Sequence, residues 1–110
     1  MSQQTYEKTR PAQELTPRVD IFENDSELLL VADVPGVEAS DIGIHVELPE
    51  VRIEAKVPGA AEKPVYRRTF RVDERIDPER VKAEYKEGVL RVHLAKRAAF
   101  QPRRIAIQSS

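Results

Sequence analysis

The amino-acid sequence predicts an all-β protein: an antiparallel, immunoglobulin-like β-sandwich of about seven strands with flexible N- and C-terminal extensions. Most segments between residues 18 and 96 alternate apolar and polar residues, as strands do when one face covers a core. Pro and Gly clusters end each run before it reaches the length of an ordinary helix. Val, Ile and Leu supply most of the apolar content, and the chain has no Trp, a composition that favours strands over helices.

The chain of 110 residues has room for one domain with a modest core. Residues 1–17 are polar, contain two prolines and show no periodicity, which predicts a short flexible arm. The sandwich is predicted over residues 18–96. Residues 97–110 are charged and extended, and they are predicted to form a C-terminal extension.

The predicted strands follow one another with turns between them. Residues 27–34 form a nearly continuous apolar run, which by periodicity alone also suits a buried helix. Pro35 and Gly36 end that run at strand length. Residues 42–48 and 51–57 alternate strictly, so each presents one apolar face. The full set of predicted strands is 19–23, 27–34, 42–48, 51–57, 65–72, 81–86 and 89–94.

Two connections carry more specific predictions. Asp77 and Pro78 suit the cap and the first position of a single helical turn over residues 77–80. Glu87 and Gly88 predict a two-residue reversal between the last two strands. Such a reversal favours positive φ at both central positions, so a Glu at the first of them is expected to be strained.

Composition argues against several classes of function. Charged residues make up 34% of the chain, but the formal net charge is −1, so the basic excess typical of nucleic-acid binding is missing. Without cysteine, neither a disulfide nor a thiolate metal site is possible. No run approaches the ~20 apolar residues that span a bilayer, and the N-terminus has no apolar signal segment. These features predict a cytoplasmic protein with no membrane span.

The sequence contains no recognisable catalytic constellation. His45 and His93 both occupy the polar phase of an alternating strand, which favours exposed structural histidines over a metal site. Nucleophile elbows and glycine-rich phosphate loops are absent from the sequence. We therefore predict that the protein is not an enzyme and uses no cofactor or metal.

Arg68 stands out because it shares its phase with Tyr66, Phe70 and Val72. A guanidinium on that apolar face must either extend to the rim along its aliphatic stem or meet a carboxylate. Two interpretations remain open from the residues alone: an edge arginine within the chain, or an ion pair across a subunit contact.

The C-terminal extension contains one apolar pair, Ile105 and Ile107. In an extended segment both side chains project to one side, and a charged stretch with Pro102 separates them from the last strand. Two isoleucines in a polar tail suit knobs that dock in a groove of another chain. The alternative is an incidental apolar pair in a frayed end.

Taken together, these segments resemble the small heat-shock proteins, the α-crystallin-domain family of ATP-independent chaperones. The family signature A-x-x-x-N-G-V-L corresponds to residues 83–90, with Glu87 in place of the usual Asn. Further motifs match in order over nearly the whole chain: the P-x-V-D-I-x-E strand at 17–23, the aliphatic-P-G-V element at 34–37, the F-x-R-x-F segment at 66–70 and the I-x-I tail at 105–107.

The resemblance implies a groove between two edge strands, residues 42–48 and 81–85, in which a neighbour's Ile105 and Ile107 dock. It also implies that Arg68 lies at the dimer interface. Partners would be further copies of this chain, as a dimer or modest homo-oligomer, and non-native client proteins. The groove residues implied by position are Ile42, Ile44, Val46, Val81, Ala83 and Tyr85.

This sequence departs from the family pattern in two places. Bacterial and plant relatives carry an extra strand, exchanged between subunits, in a long loop before the F-x-R-x-F segment. Here that loop is only residues 58–64, which predicts that the exchanged-strand dimer does not form. The second departure is the arm, because family members usually have a longer and more apolar N-terminal region, and large cages are therefore not expected.

Three functions compete at this stage. The first is an ATP-independent holdase that binds partly unfolded proteins and limits their aggregation. The second is a cochaperone or adaptor of the related CS-domain type, which docks on a folded partner and generally lacks the I-x-I tail. The third, a catalytic or metal-binding sandwich, rests only on two unclustered histidines.

Overall fold

Two four-stranded sheets form the protein, in a computed structural model that describes residues 14–58 and 65–109. The predicted all-β sandwich is confirmed. Residues 1–13, which belong to the predicted arm, residues 59–64 of the short loop, and residue 110 lie outside the described part. The strands are β1 (Glu14–Leu15), β2 (Val19–Glu23), β3 (Glu27–Asp33), β4 (Ile42–Glu47), β5 (Glu50–Lys56), β6 (Val65–Arg71), β7 (Ile76–Lys86) and β8 (Val89–Lys96).

Strand order places β4 and β7 at sheet edges. The first sheet has the order β1-β6-β5-β4 and the second the order β2-β3-β8-β7. Neighbouring strands are antiparallel except for β1 and β6, which run parallel. All seven strands expected from the alternation are present, and each begins and ends close to the predicted residues apart from β7.

The core lies between the two sheets and is built from the apolar phase of the strands. On the central strands the alternation is complete, because every second residue is buried and its neighbours are exposed or half-buried. Burial of this aliphatic surface is the main force that holds the sheets together. The central residues are Val51, Ile53 and Ala55 on β5, and Leu90, Val92 and Leu94 on β8.

The two sheets stack so that β6 lies over β2. The Arg68 guanidinium on β6 donates through Nη1 to the carbonyl of Pro17, 3.1 Å away, just before β2. A surface cavity on the same side is lined by Ile21 and Leu28 of the second sheet and Val72 at the end of β6. Given the strand orders, the edge strands β4 and β7 therefore lie together on the opposite side of the sandwich.

The predicted helical turn over residues 77–80 is wrong, because β7 runs through it. The pairing of β7 with β8 shifts register between Ile76 and Val81, so the chain bulges there. The side chain of Asp77 accepts a hydrogen bond from the N–H of Glu79 at 3.0 Å, a local turn inside the strand. Pro78 is tolerated because β7 is an edge strand, where a missing N–H costs no ladder bond on the open side.

One strand was not predicted. Glu14 and Leu15, which sequence analysis assigned to the arm, pair with Val65 and Tyr66 of β6. Pro17 is buried, and the carbonyl of Arg18 accepts the N–H of Asp33 at 2.9 Å. Residues 14–18, which we call the strap, therefore cross from the first sheet to the second and cover that side of the sandwich.

The reversal between β7 and β8 has the expected backbone. Glu87 has φ 51° and Gly88 has φ 78°, the positive values that a two-residue hairpin turn requires. A side chain at Glu87 is disfavoured in this left-handed region, so the strain predicted from the sequence is confirmed. The carbonyl of Gly88 accepts the N–H of Val34 at 2.8 Å, which ties this turn to the end of β3.

Candidate functional site

The core-facing side chains of β4 are only partly covered. Ile42, Ile44 and Val46 are half-buried and pack against the core cluster. Their ladder partners on β5, Ala55, Ile53 and Val51, are almost fully buried. The apolar phase therefore continues to the sheet edge, but its covering ends there.

The same contrast occurs on β7 in the other sheet. Val81 and Tyr85 are half-buried against the core cluster, whereas Ala83 is exposed although it shares their phase. Ala83 pairs with Val92, which is fully buried. Ala83 is therefore exposed at the outer edge of the second sheet, between two residues of the same phase that pack against the core.

We call the six residues that the family resemblance implies the groove. They lie on the two edge strands, three on each. Five of the six pack against the core, and the sixth, Ala83, is exposed. The groove residues are Ile42, Ile44 and Val46 on β4, and Val81, Ala83 and Tyr85 on β7.

Two tyrosine hydroxyls hold the chain where it crosses between the sheets. The hydroxyl of Tyr85 donates to the carbonyl of Val34 at 2.7 Å, and that of Tyr66 donates to the carbonyl of Pro35 at 3.0 Å. Both tyrosines lie in the apolar phase, so their rings pack while their polar ends bond backbone acceptors. Tyr85 is thus fixed in the groove wall by its own hydrogen bond.

The tail isoleucines are among the most exposed large apolar side chains in the described residues. Ile105 is 78% exposed and Ile107 is 94% exposed. Neither contacts the core cluster of its own chain. The structure thus separates the tail from the groove, and the apolar surface on each is left uncovered.

Arg68 is half-buried and satisfied within its own chain. Besides its bond to the Pro17 carbonyl, its guanidinium carbon lies 5.1 Å from the ring centroid of Phe70, a cation–π distance. The shared phase of Arg68 and Phe70 is as expected. In the single chain, Arg68 joins β6 to the strap.

The two histidines lie in different sheets and do not approach each other. His45 is exposed on β4. His93 is half-buried, less exposed than predicted, because its Nδ1 lies 3.3 Å from the carboxylate of Glu27 and its Nε2 lies 3.2 Å from that of Glu84. Among residues 14–58 and 65–109, no cluster of His, Asp or Glu has the makeup of a metal site.

Lys96 is the one charged residue in the buried class within the described ranges. Its ammonium donates to the Glu23 carboxylate and to the Asn24 carbonyl, each at 2.7 Å. The hydrogen bond and charge of Lys96 hold the pKa of Glu23 below its ordinary value near 4.5. Sequence reasoning missed this pair, although Lys96 continues the buried phase of Val92 and Leu94.

A second omission concerns β2. Ile21 is 52% exposed and Phe22 is 56% exposed, so this edge strand presents apolar side chains on both faces. The signal in the sequence was the pair of consecutive apolar residues in a strand that otherwise alternates.

In the described ranges, no helix is long and apolar enough to cross a membrane.

Comparison with known proteins agrees with this geometry. Residues 20–108 match the model of the Hsp20/alpha crystallin family. A protein from Leptospira interrogans named "Probable 15 kDa heat shock protein" is 34% identical over 96 residues, which cover 76% of this chain and 72% of that protein. The 18 kDa antigen of Mycobacterium leprae is 31% identical over 99 residues, covering 81% of this chain and 67% of the antigen.

Solved structures have the same fold. Heat shock protein 16.0 from Schizosaccharomyces pombe superposes with a TM-score of 0.69 at 23% identity, over 86% of this chain and 99% of that one. A small heat-shock protein from Xylella fastidiosa, described as having a distinct high order structure, gives a TM-score of 0.65 at 27% identity, over 84% and 96%. With the family match over residues 20–108, the similar relatives and the shared sandwich fold, the chain belongs to the Hsp20/alpha crystallin family of small heat-shock proteins.

Proposed function

We propose that this protein is a cytoplasmic, ATP-independent holdase chaperone, and not an enzyme, that binds partly unfolded proteins and limits their aggregation. It uses no cofactor. Membership of a family of small heat-shock proteins supports this proposal. The groove is the binding surface, and the tail of a neighbouring copy is its resting occupant.

The observation that carries the proposal is the pairing of two unsatisfied apolar features. Ala83 shares the apolar phase of Val81 and Tyr85 but is exposed, while Ile105 and Ile107 are 78% and 94% exposed. Docking the tail of one copy in the groove of another removes both from water. The same groove accepts an extended apolar segment of an unfolded client by the same contacts.

The energetics favour weak, reversible docking. Burying two isoleucines contributes about 3–6 kcal/mol by area, from which the cost of ordering the tail must be subtracted. A single docking is therefore short-lived, and a stable assembly requires several at once. Reversibility allows a client to replace a tail when unfolded protein accumulates.

Light scattering of a heat-destabilised client, with and without stoichiometric protein and no ATP, tests the holdase activity. We expect the rise in scattering to be suppressed. An unchanged rise, at a temperature where circular dichroism shows this protein folded, would contradict the proposal and favour the adaptor alternative.

A groove variant separates binding from folding. Ala83→Glu places a charge at an exposed position inside the groove, so stability should change by no more than about 0.5 kcal/mol. The substitution is made in the Ile105→Ala/Ile107→Ala protein, whose own tail cannot compete for the groove. We expect Ala83→Glu to weaken the binding of a synthetic peptide of residues 102–109 to this protein at least tenfold. Lys82→Glu, on the outer face of the same strand, is the matched control and should leave peptide affinity within about threefold, because it changes only a screened surface charge.

Self-association is the second part of the proposal. Replacing Ile105 and Ile107 by Ala should shift sedimentation toward smaller species, whereas a CS-domain-like adaptor would keep both its size and its affinity for a folded partner. We further propose that the dimer does not use an exchanged strand, because the 58–64 loop is short. Hydrogen exchange protection spreading into residues 58–64 on dimerisation would refute this.

The role of Arg68 in a dimer belongs to the same proposal. Its guanidinium has five N–H donors, of which Nη1 bonds the Pro17 carbonyl. We propose that other donors of this guanidinium bind a carboxylate of a second copy beside β6. A dimer whose dissociation constant is unchanged in Arg68→Ala would exclude this role.

A further inference from the structure

The C-terminal extension is fastened to the sandwich well beyond the end of the last strand. The charged, extended sequence predicts flexibility from residue 97. In the structure, the N–H of Arg97 donates to the carbonyl of Arg75 at 2.7 Å, and its Nε donates to the carbonyl of Glu74 at 3.3 Å. The first residue of the extension is therefore joined to the segment that precedes β7.

The next four residues fold into a closed turn. Residues 98–100 form one turn of 3₁₀ helix, in which the N–H of Phe100 donates to the carbonyl of Arg97 at 2.8 Å. The side chain of Gln101 then reaches back, and its Nε2 donates to the carbonyl of Lys96 at 2.7 Å. Gln101 thereby closes a loop onto the final residue of β8, whose own side chain is buried.

Phe100 adds an apolar contact surface to this turn. Its ring lines a surface cavity together with Leu48, at the end of β4, and with Arg75 and Arg97. Phe100 is 52% exposed, so about half of its surface is covered. Residues 97–101, which we call the bracket, are thus held by backbone, side-chain and apolar contacts.

The bracket ends where the exposed tail begins. Pro102 has no N–H to donate, and it restricts the preceding residue to extended conformations. Gln101 is accordingly extended, with φ −94° and ψ 147°. Residues 102–109 are neither strand nor helix. Among the described residues, the last hydrogen bond that joins the extension to the sandwich is therefore made by Gln101.

The position of this last contact, at Gln101, sets the reach of the tail. An extended chain spans at most about 3.3–3.6 Å per residue, so Ile105 lies within roughly 14 Å of Gln101. A tail that is free from residue 97 would give Ile105 about twice that reach. A shorter reach of the tail restricts which neighbouring grooves the two isoleucines can enter. It also raises the effective concentration of the isoleucines at the grooves within reach.

We propose that the bracket aims the tail, and that Gln101 is a positioning residue that restricts docking to neighbours in one geometry. The proposal rests on the tail docking proposed above. The decisive contact is the bond from Gln101 Nε2 to the Lys96 carbonyl, because it alone joins the far end of the turn to β8 in the described residues.

The test uses Gln101→Met, which keeps the length of the side chain and removes its donor, with Gln108→Met as the matched control beyond the I-x-I motif. Amide hydrogen exchange is measured in the full chain carrying Ile105→Ala/Ile107→Ala, so that tail docking does not contribute. Loss of one net hydrogen bond changes an opening equilibrium about fivefold. We expect protection at Phe100 and Gln101 to fall by about that factor in Gln101→Met and to stay constant in Gln108→Met.

Native mass spectrometry of the same substitutions in the otherwise unchanged chain measures the distribution of oligomer stoichiometries, which shows whether the bracket restricts tail docking. We expect Gln101→Met to spread the oligomers over more stoichiometries and Gln108→Met to match the parent. Equal protection in both variants would overturn the bracket. Ile105→Ala/Ile107→Ala shows whether tail docking affects the distribution of oligomer sizes. If it alters that distribution while Gln101→Met reduces amide protection without altering it, the positioning role is overturned. If neither variant alters the distribution, tail docking is wrong and this proposal fails with it.

Discussion

The two long sides of the sandwich differ in how the core is covered. On one side the strap crosses between the sheets, Pro17 is buried, and Arg68 joins β6 to the Pro17 carbonyl. On the other side β4 and β7 end the sheets, the Tyr85 hydroxyl of β7 bonds the connection that leads to β4, and Ala83 remains exposed. The strap therefore adds contacts between the sheets on one side that the other side lacks, although Ile21 and Phe22 on the strap side are also exposed.

This difference teaches that the same periodic sequence produces a closed and an open edge. Both sides continue the apolar phase to their outer strands, and the strap crosses between the sheets on one side. Four tests of the comparison follow, from the largest expected effect to the smallest.

The largest difference is expected between core residues near the two sides. Phe70→Ala, on the strap side, removes a ring that is 7% exposed and should lower the free energy of unfolding by about 3–5 kcal/mol. Ile44→Ala, on the groove side, should cost about 1–2 kcal/mol because that side chain is only partly buried. Urea denaturation measures both, and equal losses would contradict the comparison.

The strap contact itself should be worth less. Arg68→Ala removes the bond to the Pro17 carbonyl and the contact with the Phe70 ring, which together should contribute about 1–2 kcal/mol. Amide exchange at Leu15 should accelerate in parallel. Arg71→Ala, an exposed arginine on the same strand, is the control and should stay within about 0.5 kcal/mol of the parent. If the two variants behave alike, the strap is not held by Arg68.

Acid should weaken the strap side through Glu23. Lys96 lowers the pKa of the Glu23 carboxyl in the folded state. The pair therefore stabilises the fold fully at pH values above the ordinary pKa near 4.5. This stabilisation is lost as the pH falls through the lower pKa of the folded state. Stability should therefore decline less steeply with acid in Glu23→Gln. Asp73, whose pKa is also lowered, chiefly by the Arg75 N–H, remains as a residual contribution. Parallel stability–pH curves for parent and variant would rule out the pair as the cause.

The smallest effect is expected at the turn that ends β7. Asn tolerates positive φ better than Glu, so Glu87→Asn should stabilise the protein by about 0.5 kcal/mol and leave the peptide affinity of the groove unchanged. Thermal unfolding measures the first quantity and titration the second. A destabilised variant would indicate that the Glu87 side chain makes a compensating contact.

The strands were predictable because their signal is local. Alternation in residues 42–48 and 51–57 fixes which side chains face the core, and Pro35 with Gly36 fixes where a run ends. The resemblance supplied the groove and tail residues, and the strand order gives β4 and β7 the edge positions that this assignment requires.

The remaining features depend on contacts between distant parts of the chain. Two residues are too few to show a period, so β1 could not be distinguished from the arm. The bracket depends on the Lys96 and Arg75 carbonyls, and backbone acceptors leave no trace in a sequence. The helical turn at Asp77 failed because pairing with β8 outweighed a favourable local cap.

The tyrosine pair at the sheet crossing makes the molecule its own optical reporter. The chain has three tyrosines and no tryptophan, so its near-ultraviolet emission comes from phenols alone. Tyr85 bonds the Val34 carbonyl from the groove wall, while Tyr66 bonds the next carbonyl from β6 beside the strap. A change in that emission follows any movement that separates the sheets at this end, without a label attached to either side.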